Sequence, residues 1–274
     1  MKGKPKVLNT HGSLLGYKKY LPHNQHRPYK IYDALTFKAS AKKANAIVVS
    51  SKLEYEDAIE FGIPKNKIHV IPMGVDVDTY SDNSTNKDTD ILNILFVGRV
   101  ARVRRLEILL QAAAKLTIPF HITLVGGEEK TSSLSRWGYM DELKKLSQTL
   151  NIHHRITFVG PVSQAELSKW YSQGDIFVYP SLYENFGQPI LEAAAAGLPI
   201  ISTSVGVAKE IIKDNETGFI FNGKSQELAD RINLLKDHNL RKKMGRAAKE
   251  KVRNLFGWEE VINQYINLYQ SLLK

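Results

Sequence analysis

Two glutamates eight positions apart, Glu184 and Glu192, are the residues best placed to do chemistry in this sequence. Glu184 lies in a polar turn, and Glu192 lies inside the alanine-rich run "LEAAAA". A charged side chain among alanines is costly to bury unless a partner compensates it. Eight helical positions are about two turns, so the two carboxylates are expected to point the same way at different depths. We therefore predict that they hold two parts of one extended ligand, with Glu184 accepting hydrogen bonds from sugar hydroxyls.

The turn between the glutamates supplies a second kind of group. Pro189 lies near the start of the predicted helix over 188–196, so the backbone N–H groups of Asn185, Phe186 and Gly187 are expected to be free at its entrance. The first N–H groups of a helix have no partner within the helix, and its dipole favours negative charge there. The turn therefore predicts a site for an anionic or hydroxyl-rich ligand.

Five clustered residues form the third candidate feature. They lie in "GRVARVRRL" directly after an apolar run: Gly98, Arg99, Arg102, Arg104 and Arg105. A guanidinium group matches phosphate oxygens in shape and charge, and a glycine allows close backbone approach to a ligand. A phosphate site and an exposed basic helix face both remain open for this cluster.

These residues must be positioned by alternating strands and helices. Apolar, β-branched runs ending at turn residues predict strands, and apolar positions three and four apart predict helices. The strands are predicted at 93–98, 121–126, 155–160, 175–180, 199–203 and 218–221, and the helices at 104–116, 137–150, 163–173, 188–196, 225–236 and 239–254. This alternation predicts a parallel, doubly wound sheet whose ligands bind beyond the carboxyl ends of the strands. Because neither G-x-G-x-x-G nor the P-loop motif occurs, a simple dehydrogenase or P-loop ATPase is disfavoured.

The preceding region is shorter and ends in a polar segment. Strands are predicted at 6–10, 46–50 and 67–71, and helices at 29–43 and 51–61. Residues 81–90 contain a run of polar residues and predict a linker. We therefore predict domains over 1–80 and 91–254, with a C-terminal helix over 255–274 that packs back towards the N-terminal part.

Composition limits the classes of function. The formal net charge is +10, and residues 1–76 carry 13 Lys and Arg against 6 Asp and Glu, a net of +7. Such a surface favours anionic partners, although solubility alone also explains it. There is no cysteine, and no apolar run is long enough for a membrane span or a secretion signal. These features predict a cytoplasmic location, and no nucleic-acid-binding module is recognisable.

Several stretches resemble one known family. They are "VGR" (97–99), "ITLVG" (122–126), the long segment 156–212 that contains both glutamates, and "NETGFIF" (215–221). Together they are similar to the E-x7-E region of retaining nucleotide-sugar glycosyltransferases in the glycosyl transferases group 1 family. The resemblance implies an α/β fold of GT-B type, with two Rossmann-like doubly wound domains.

The resemblance also implies a role for each candidate residue in binding a nucleotide diphosphate sugar. Glu192 would hold the ribose hydroxyls, Glu184 would contact the donor sugar as a catalytic candidate, and the backbone from Asn185 to Gly187 would bind sugar hydroxyls and phosphate. Arg99 and Arg104 would neutralise the diphosphate, with Arg104 standing where the family usually has lysine.

Further roles are implied by the same resemblance. The nucleobase would lie near residues 158–162, and no metal or other cofactor would be needed. His11, just past a predicted strand end, would be a catalytic candidate for positioning or proton handling. The pair His153 and His154 lacks metal-site spacing with nearby carboxylates.

Three departures from the family pattern qualify this picture. Arg105 replaces a residue that is usually small, so its side chain either crowds or strengthens the phosphate pocket. The loop "GGEE" (126–129) replaces the family's usual Gly-Asp-Gly-Pro. Only about three strands precede the linker where about six are expected, so the N-terminal domain is predicted to be incomplete, with a partner chain able to supply the missing strands.

Two functions follow from this reasoning. The first is a retaining, metal-independent glycosyltransferase that moves a sugar to a hydroxyl acceptor such as a glycan or a lipid-linked molecule, with possible peripheral contact with an anionic membrane. The second is a non-catalytic subunit that binds a sugar nucleotide and needs a partner chain for activity.

Overall fold

The computed structural model describes residues 4–12, 15, 26–80, 90–128 and 138–274, except for the side chains of residues 34 and 35. The chain divides into two compact units. The first unit contains residues 1–74 together with 258–274, and the second contains residues 75–257. The predicted linker over 81–90 lies outside the described residues except for Asp90.

Strands and helices alternate along both units. The described strands are β1 (Val7–Asn9), β2 (Ala46–Val49), β3 (Ile68–Val70), β4 (Leu92–Val97), β5 (Phe120–Val125), β6 (Ile156–Gly160), β7 (Ile176–Tyr179), β8 (Ile200–Ser202) and β9 (Gly218–Ile220). The described α-helices are α1 (His26–Tyr32), α2 (Lys38–Lys43), α3 (Lys52–Phe61), α4 (Leu106–Ala113), α5 (Tyr139–Thr149), α6 (Gln164–Tyr171), α7 (Gln188–Ala195), α8 (Ala208–Ile211), α9 (Ser225–Leu234), α10 (His238–Phe256) and α11 (Trp258–Leu273).

The first unit contains a parallel sheet of order β1-β2-β3 in its described part. Alternate side chains of β2 point to opposite faces, as the two-residue period of a strand requires. Ile47 and Val49 pack in one apolar cluster with Ala58 of α3. Ala46 and Val48 pack in another with residues of α11. The C-terminal helix α11 therefore covers one face of this sheet and belongs to the first unit.

The second unit is built on a six-stranded sheet of order β6-β5-β4-β7-β8-β9, in which every pairing is parallel. The order runs outward in one direction from β4 and in the other from β7. This is the doubly wound arrangement of a Rossmann-like fold, and β4 and β7 flank the point where the direction of winding changes. Loops that follow these two strands leave the sheet side by side, and this is the place where ligands of doubly wound folds bind.

Glycine residues allow the backbone to pack closely at the carboxyl ends of β4, β5 and β6. A Cβ atom added to Gly126 would lie 1.9 Å from the carbonyl oxygen of Gly98, and Gly126 has a φ of +132°. Gly98 N–H in turn donates to Val125 O at 2.9 Å, and Gly126 N–H donates to Gly160 O at 2.9 Å. The recurring "VG" at strand ends therefore reflects backbone segments that pass too close to each other for a side chain.

The strands that the sequence predicts are all present, with ends that differ by one or two residues. The prediction for α4 is wrong at its start, because Arg102–Arg104 form a short 3-10 turn and Arg105 has a left-handed backbone, so the helix begins at Leu106. The short helix α8 was not predicted. The helical region from residue 26 to residue 43 contains a π-helical segment, Asp33–Phe37, that the sequence did not indicate. The six residues 75–80, expected in the first domain, lie in the second unit.

Among the described residues, no helix combines the length and the apolar character that crossing a bilayer requires.

The close approach at Gly126 generates a stability prediction. Gly126→Ala places a methyl group against backbone, so the two strand ends must separate and the protein should lose at least about 3 kcal/mol of unfolding free energy. Gly138→Ala is the matched control, because Gly138 also has a positive φ of +96° but open space around it. It should cost about 1 kcal/mol for backbone strain alone. Urea denaturation measures both, and equal losses would contradict the close approach.

Candidate functional site

A buried ion pair joins the segment after β4 to the segment after β7. Arg104 Nη1 lies 2.7 Å from Glu184 Oε2, and the two side chains are 7% and 16% exposed. Such burial matters because a largely buried pair is strongly coupled, whereas exposed pairs contribute little. The strand order explains the encounter, since β4 and β7 are neighbours although Arg104 and Glu184 are 80 positions apart.

Further contacts hold the guanidinium group of Arg104 in place. Its Nη1 donates to Ser181 Oγ at 3.0 Å and to the carbonyl oxygen of Tyr183 at 2.9 Å. Ser181 is fully buried, and its own hydroxyl contacts Tyr183 O at 2.7 Å. The Nε atom of Arg104 is buried and has no hydrogen-bond partner among the described residues. The arginine therefore keeps one unsatisfied donor at the edge of the sheet where ligands of this fold bind.

Tyr179, the last residue of β7, supports the carboxylate of the pair. Its hydroxyl donates to Glu184 Oε2 at 2.7 Å, and the guanidinium of Arg104 lies over its ring at 5.4 Å. Burial, followed by the negative charge of Glu184, raises the pKa of Tyr179 well above its usual value. The phenol therefore stays protonated at neutral pH and acts as a donor to Glu184.

Glu192 lies on α7 and is only 5% exposed. The hydroxyl of Tyr171 donates to its Oε2 at 2.9 Å. Burial raises the pKa of Glu192, while hydrogen bonding to Tyr171, Gln164 and other neighbours opposes that rise. The cost of burying a charge among alanines is thus offset by polar partners, most of which come from other elements, with Gln188 at the start of the same helix.

A row of aromatic rings connects the two carboxylates. The ring of Tyr171 lies 6.0 Å from Phe177, and Phe177 stacks on Tyr179 at 5.9 Å. The tyrosines at the two ends of this row each donate a hydrogen bond to one of the glutamates. The two carboxylates are therefore fixed to one rigid set of rings in the core.

The turn at 185–187 leads directly into α7, whose first turn contains Pro189. The prediction that all three amides are free is wrong at Asn185, because its N–H donates to Glu184 Oε1 at 3.2 Å. The N–H groups of Phe186 and Gly187 have no acceptor among the described residues. The carbonyl of Phe186 accepts from Val207 N–H at 2.6 Å, which holds the turn against the start of α8.

The side chain of Arg105 bonds to backbone beside the pair. Its Nε donates to Pro180 O at 3.0 Å, and its Nη2 lies 3.5 Å from Ser181 O. Burial lowers its pKa. Its backbone has a left-handed φ of +49°, a conformation that costs least for glycine. Arg105 thus connects the start of α4 to the end of β7, and both expectations for its effect on a phosphate pocket stay predictions.

The remaining predicted donor-binding residues follow β4. Gly98 has a φ of +148° and lies next to the strand end. Arg99 is exposed, and its charge lowers the pKa of Tyr179, so it is electrostatically close to that phenol. Both predicted positions therefore lie on the same edge of the sheet as the Arg104–Glu184 pair.

The altered loop after β5 has a structural role. Glu128 Oε1 accepts a hydrogen bond of 2.7 Å from the backbone N–H of Met140, in the first turn of α5. A carboxylate at this position satisfies a helix N–H and complements the helix dipole. Glu129 and residues up to 137 lie outside the described residues.

His11 lies in the first unit, two residues beyond β1. Its backbone has a left-handed φ of +48°, and its N–H donates to Asn9 Oδ1 at 3.1 Å. Burial raises the pKa of Glu54, and the charge of His11 is the smallest of the effects that oppose this rise, so the two side chains are near each other. The catalytic role of His11 stays a prediction.

In the part of the chain that the structure describes, no group of three or more His, Asp or Glu side chains is arranged to hold a metal ion. The expectation that the chemistry needs no metal stays a prediction.

Sequence reasoning missed the polar residues that support the predicted ones. They are Ser181, Tyr179, Tyr171 and Tyr80. One signal was available, because a buried tyrosine hydroxyl needs a partner, and Tyr179 ends an otherwise apolar strand next to Glu184 in sequence. Nothing in the sequence indicated that Tyr80 lies beside Glu192.

The fold and the site define an α/β protein of GT-B type, in which charged side chains meet at the carboxyl edge of a parallel sheet. Residues 78–251 match the family model described as glycosyl transferases group 1, and residues 1–79 match the model described as glycosyltransferase family 4. Because the first match covers well over half of the chain, this protein belongs to the glycosyl transferases group 1 family.

Curated relatives agree with this assignment. The chain is 28% identical over 247 residues to a D-inositol 3-phosphate glycosyltransferase of Xylanimonas cellulosilytica, covering 84% of this chain and 58% of the relative. It is 30% identical over 261 residues to an uncharacterized glycosyltransferase of Methanocaldococcus jannaschii, covering 89% of this chain and 64% of the relative. The chain thus spans less than two thirds of the length of these two relatives.

Solved structures share the fold. A sucrose-phosphate synthase from Thermosynechococcus elongatus superposes with a TM-score of 0.82 at 28% identity, covering 97% of this chain and 67% of that one. Anabaena HepE, solved in complex with UDP and glucose, superposes with a TM-score of 0.81 at 20% identity, covering 98% and 72%. The second likeness shows a common fold alone.

The left-handed backbone at Arg105 generates a second stability prediction. Arg105→Ala and Arg105→Gly both remove the hydrogen bonds to Pro180 and Ser181 and should both destabilise the fold. Glycine also relieves the backbone strain, so the glycine variant should be more stable than the alanine variant by about 1 kcal/mol. Urea denaturation of the two variants decides this. An alanine variant equal to or more stable than the glycine variant would show that the position is not left-handed.

The burial of Glu192 predicts a pH dependence. Because its pKa is raised in the folded chain, the carboxyl contributes stability below its unfolded pKa of about 4.3. That contribution is lost as the pH rises through the folded pKa. Glu192→Gln lacks the titrating group and keeps the shape. The unfolding free energy of the parent minus that of the variant should therefore fall between about pH 4 and pH 7, as measured by urea denaturation across this range. A difference that stays constant or rises would contradict the burial of Glu192.

Proposed function

We propose that the second unit binds a nucleotide diphosphate sugar at the carboxyl edge of its sheet, between the segments that follow β4 and β7. The observation that carries the proposal is the meeting of Arg104 and Glu184 at this switch point, with Glu192 held nearby on α7 by Tyr171. A cation and two carboxylates at one edge suit a ligand that is anionic in its middle and rich in hydroxyls at both ends.

The proposal assigns each group by its chemistry. Glu192 accepts hydrogen bonds from the ribose hydroxyls, and Glu184 accepts them from the donor sugar. The N–H groups of Phe186 and Gly187, which have no acceptor in the part of the chain that the structure describes, lie at the start of α7, where the helix dipole favours phosphate. Asn185 contributes its side chain to the same turn, and residues 158–162 lie next to the nucleobase.

Charge neutralisation is the task of the arginines. The diphosphate carries negative charge when bound and gains more as it leaves, so fixed guanidinium groups favour its departure. Arg104 is buried, has an unsatisfied Nε and cannot lose its proton in a protein. Arg99 and the backbone at Gly98 lie at the same strand end. No metal ion is required by this proposal.

The reaction that we propose is glycosyl transfer with retention of configuration. The bond between the anomeric carbon and the diphosphate oxygen breaks, and the acceptor hydroxyl oxygen bonds to the anomeric carbon on the same face. The acceptor proton passes to the departing diphosphate oxygen. His11 is a candidate for positioning or proton handling in this step. Family membership and relatives named as glycosyltransferases support the proposal.

A second candidate is a sugar-nucleotide-binding subunit without activity of its own. The chain spans 58% and 64% of the two curated relatives, so activity of this chain by itself is a proposal. A partner chain would then complete the protein. An acceptor on a glycan or lipid, a peripheral contact with an anionic membrane and a cytoplasmic location stay predictions under both candidates.

Nucleotide binding tests the proposal directly. Isothermal titration with UDP, GDP and ADP should give measurable affinity for at least one nucleotide in the parent chain. Glu192→Ala and Arg104→Ala should each weaken that affinity by about 10- to 100-fold, as expected for lost hydrogen bonds to charged groups. Because Arg104→Ala leaves Glu184 buried without its partner, Arg104→Lys should be measured beside it to keep the charge.

The control is Arg102→Ala, since Arg102 is exposed and pairs with Glu142 away from both carboxylates. Its affinity should match that of the parent. Affinities in Glu192→Ala and Arg104→Ala that equal the parent value would defeat the proposal. Assays for donor hydrolysis and transfer then separate the two candidates, because binding without turnover favours the subunit.

A further inference from the structure

Tyr80 connects the start of the second unit to Glu192. It is the last described residue before the segment 81–89, and it is 8% exposed. Its ring packs edge-on against Tyr171, with centroids 5.5 Å apart and an interplanar angle of 83°. Tyr171 is the residue whose hydroxyl donates to Glu192. Two tyrosine side chains from different elements therefore lie together at one carboxylate.

The hydrogen-bond direction at Tyr80 is fixed by its neighbour. Gln164, the first residue of α6, donates its Nε2 hydrogen to Tyr80 Oη at 3.3 Å. A phenol has one hydrogen and can accept as well as donate. Since the oxygen of Tyr80 accepts from Gln164, its own hydrogen is available to the carboxylate. Burial, followed by the negative charge of Glu192, raises the pKa of Tyr80, so the phenol keeps the hydrogen that it can donate.

Glu192 depends on such partners for its orientation. A glutamate side chain has three rotatable bonds, and the residues that follow it on α7 are the small Ala193, Ala194 and Ala195. These alanines offer no polar group that could orient the carboxylate. Its orientation must come from polar side chains outside this alanine run, namely the tyrosines and Gln164 of other elements and Gln188 at the start of α7. A positioned carboxylate binds a hydroxyl pair better than a mobile one because less entropy is lost.

We propose that Tyr80 is a positioning residue for the nucleotide site, which holds the Glu192 carboxylate in the orientation that accepts ribose hydroxyls. This inference rests on the proposed function, because it needs Glu192 to contact ribose. It adds a specific consequence, that a residue of the segment 75–80, ahead of β4, sets the preference of the site for ribose. Tyr171 anchors one side of the same carboxylate, and Tyr80 with Gln164 anchors another.

The test is a thermodynamic cycle, in which the binding affinities of the parent chain and one variant are compared for two ligands. Tyr80→Phe keeps the ring against Tyr171 and removes only the hydroxyl. The ligands are the nucleoside diphosphate that binds the parent chain most tightly in the panel above and its 2′,3′-dideoxy analogue. Affinities are measured by isothermal titration, and thermal unfolding checks that the variant is folded.

In Tyr80→Phe, the affinity for the ribonucleotide should fall by about 5- to 20-fold, the loss expected for one hydrogen bond to a charged group. The affinity for the dideoxy analogue should stay within about twofold of the parent value, because it has no hydroxyl for Glu192 to hold. The matched control is Tyr139→Phe. Tyr139 is also a buried tyrosine bonded to a glutamate, Glu107, in the same unit, and its loss should leave both affinities unchanged.

Two results would overturn the inference. An equal loss for both ligands would show that Tyr80 supports the fold rather than the ribose contact, and no loss for either would show that Glu192 does not depend on Tyr80. Failure of the proposed function looks different. A parent chain that binds no nucleotide, or that binds the ribonucleotide and its dideoxy analogue equally, would reject the proposed function itself and the inference with it.

Discussion

The buried ion pair between Arg104 and Glu184 joins the two strands at which the sheet changes its direction of winding. Each charge makes the burial of the other tolerable, since removing one partner of a buried pair commonly costs about 3–5 kcal/mol. Ser181 and Tyr179 add hydrogen bonds to the pair, and the guanidinium group of Arg105 donates to the backbone at the same strand end. The site is thus part of the framework of the second unit. A ligand that binds at Arg104 must either replace the existing contacts of its guanidinium group or use the donor that these contacts leave over.

This arrangement also explains how two carboxylates on different segments are held in a fixed relation to each other. Phe177 stacks on Tyr179 and lies beside Tyr171, so the partners of Glu184 and Glu192 belong to one packed set of rings. Rings in a core of this kind move little, because interiors are close-packed. The distance between the two carboxylates is therefore set by aromatic packing in the sheet core. This gives a physical reason for a spacing that appears in the sequence only as two glutamates eight positions apart.

The sequence predicted the strands of both units well, because apolar, β-branched runs that end at turn residues are a local signal. It also placed Arg104, Glu184 and Glu192 at one edge of a parallel sheet, through the rule for strand ends and the family resemblance. It could not predict the direct pairing of Arg104 with Glu184, since that depends on strand order. The start of α4 was misplaced because an arginine with a left-handed backbone, as at position 105, is rare. The N–H group of Asn185 was expected to be free because the sequence does not show that the side chain of Glu184 turns back to accept its hydrogen bond. Tyr80 was overlooked because its partner Glu192 is 112 positions away.

The most direct measurement of the central claim is a crystal structure of the chain with a bound nucleoside diphosphate, beginning with UDP. The account predicts that diphosphate oxygens lie within hydrogen-bonding distance of the Arg104 guanidinium and of the amides of Phe186 and Gly187. It also predicts that ribose hydroxyls contact Glu192. A nucleotide bound elsewhere on the chain, with Arg104 contacting only Glu184, Ser181 and Tyr183, would contradict the account.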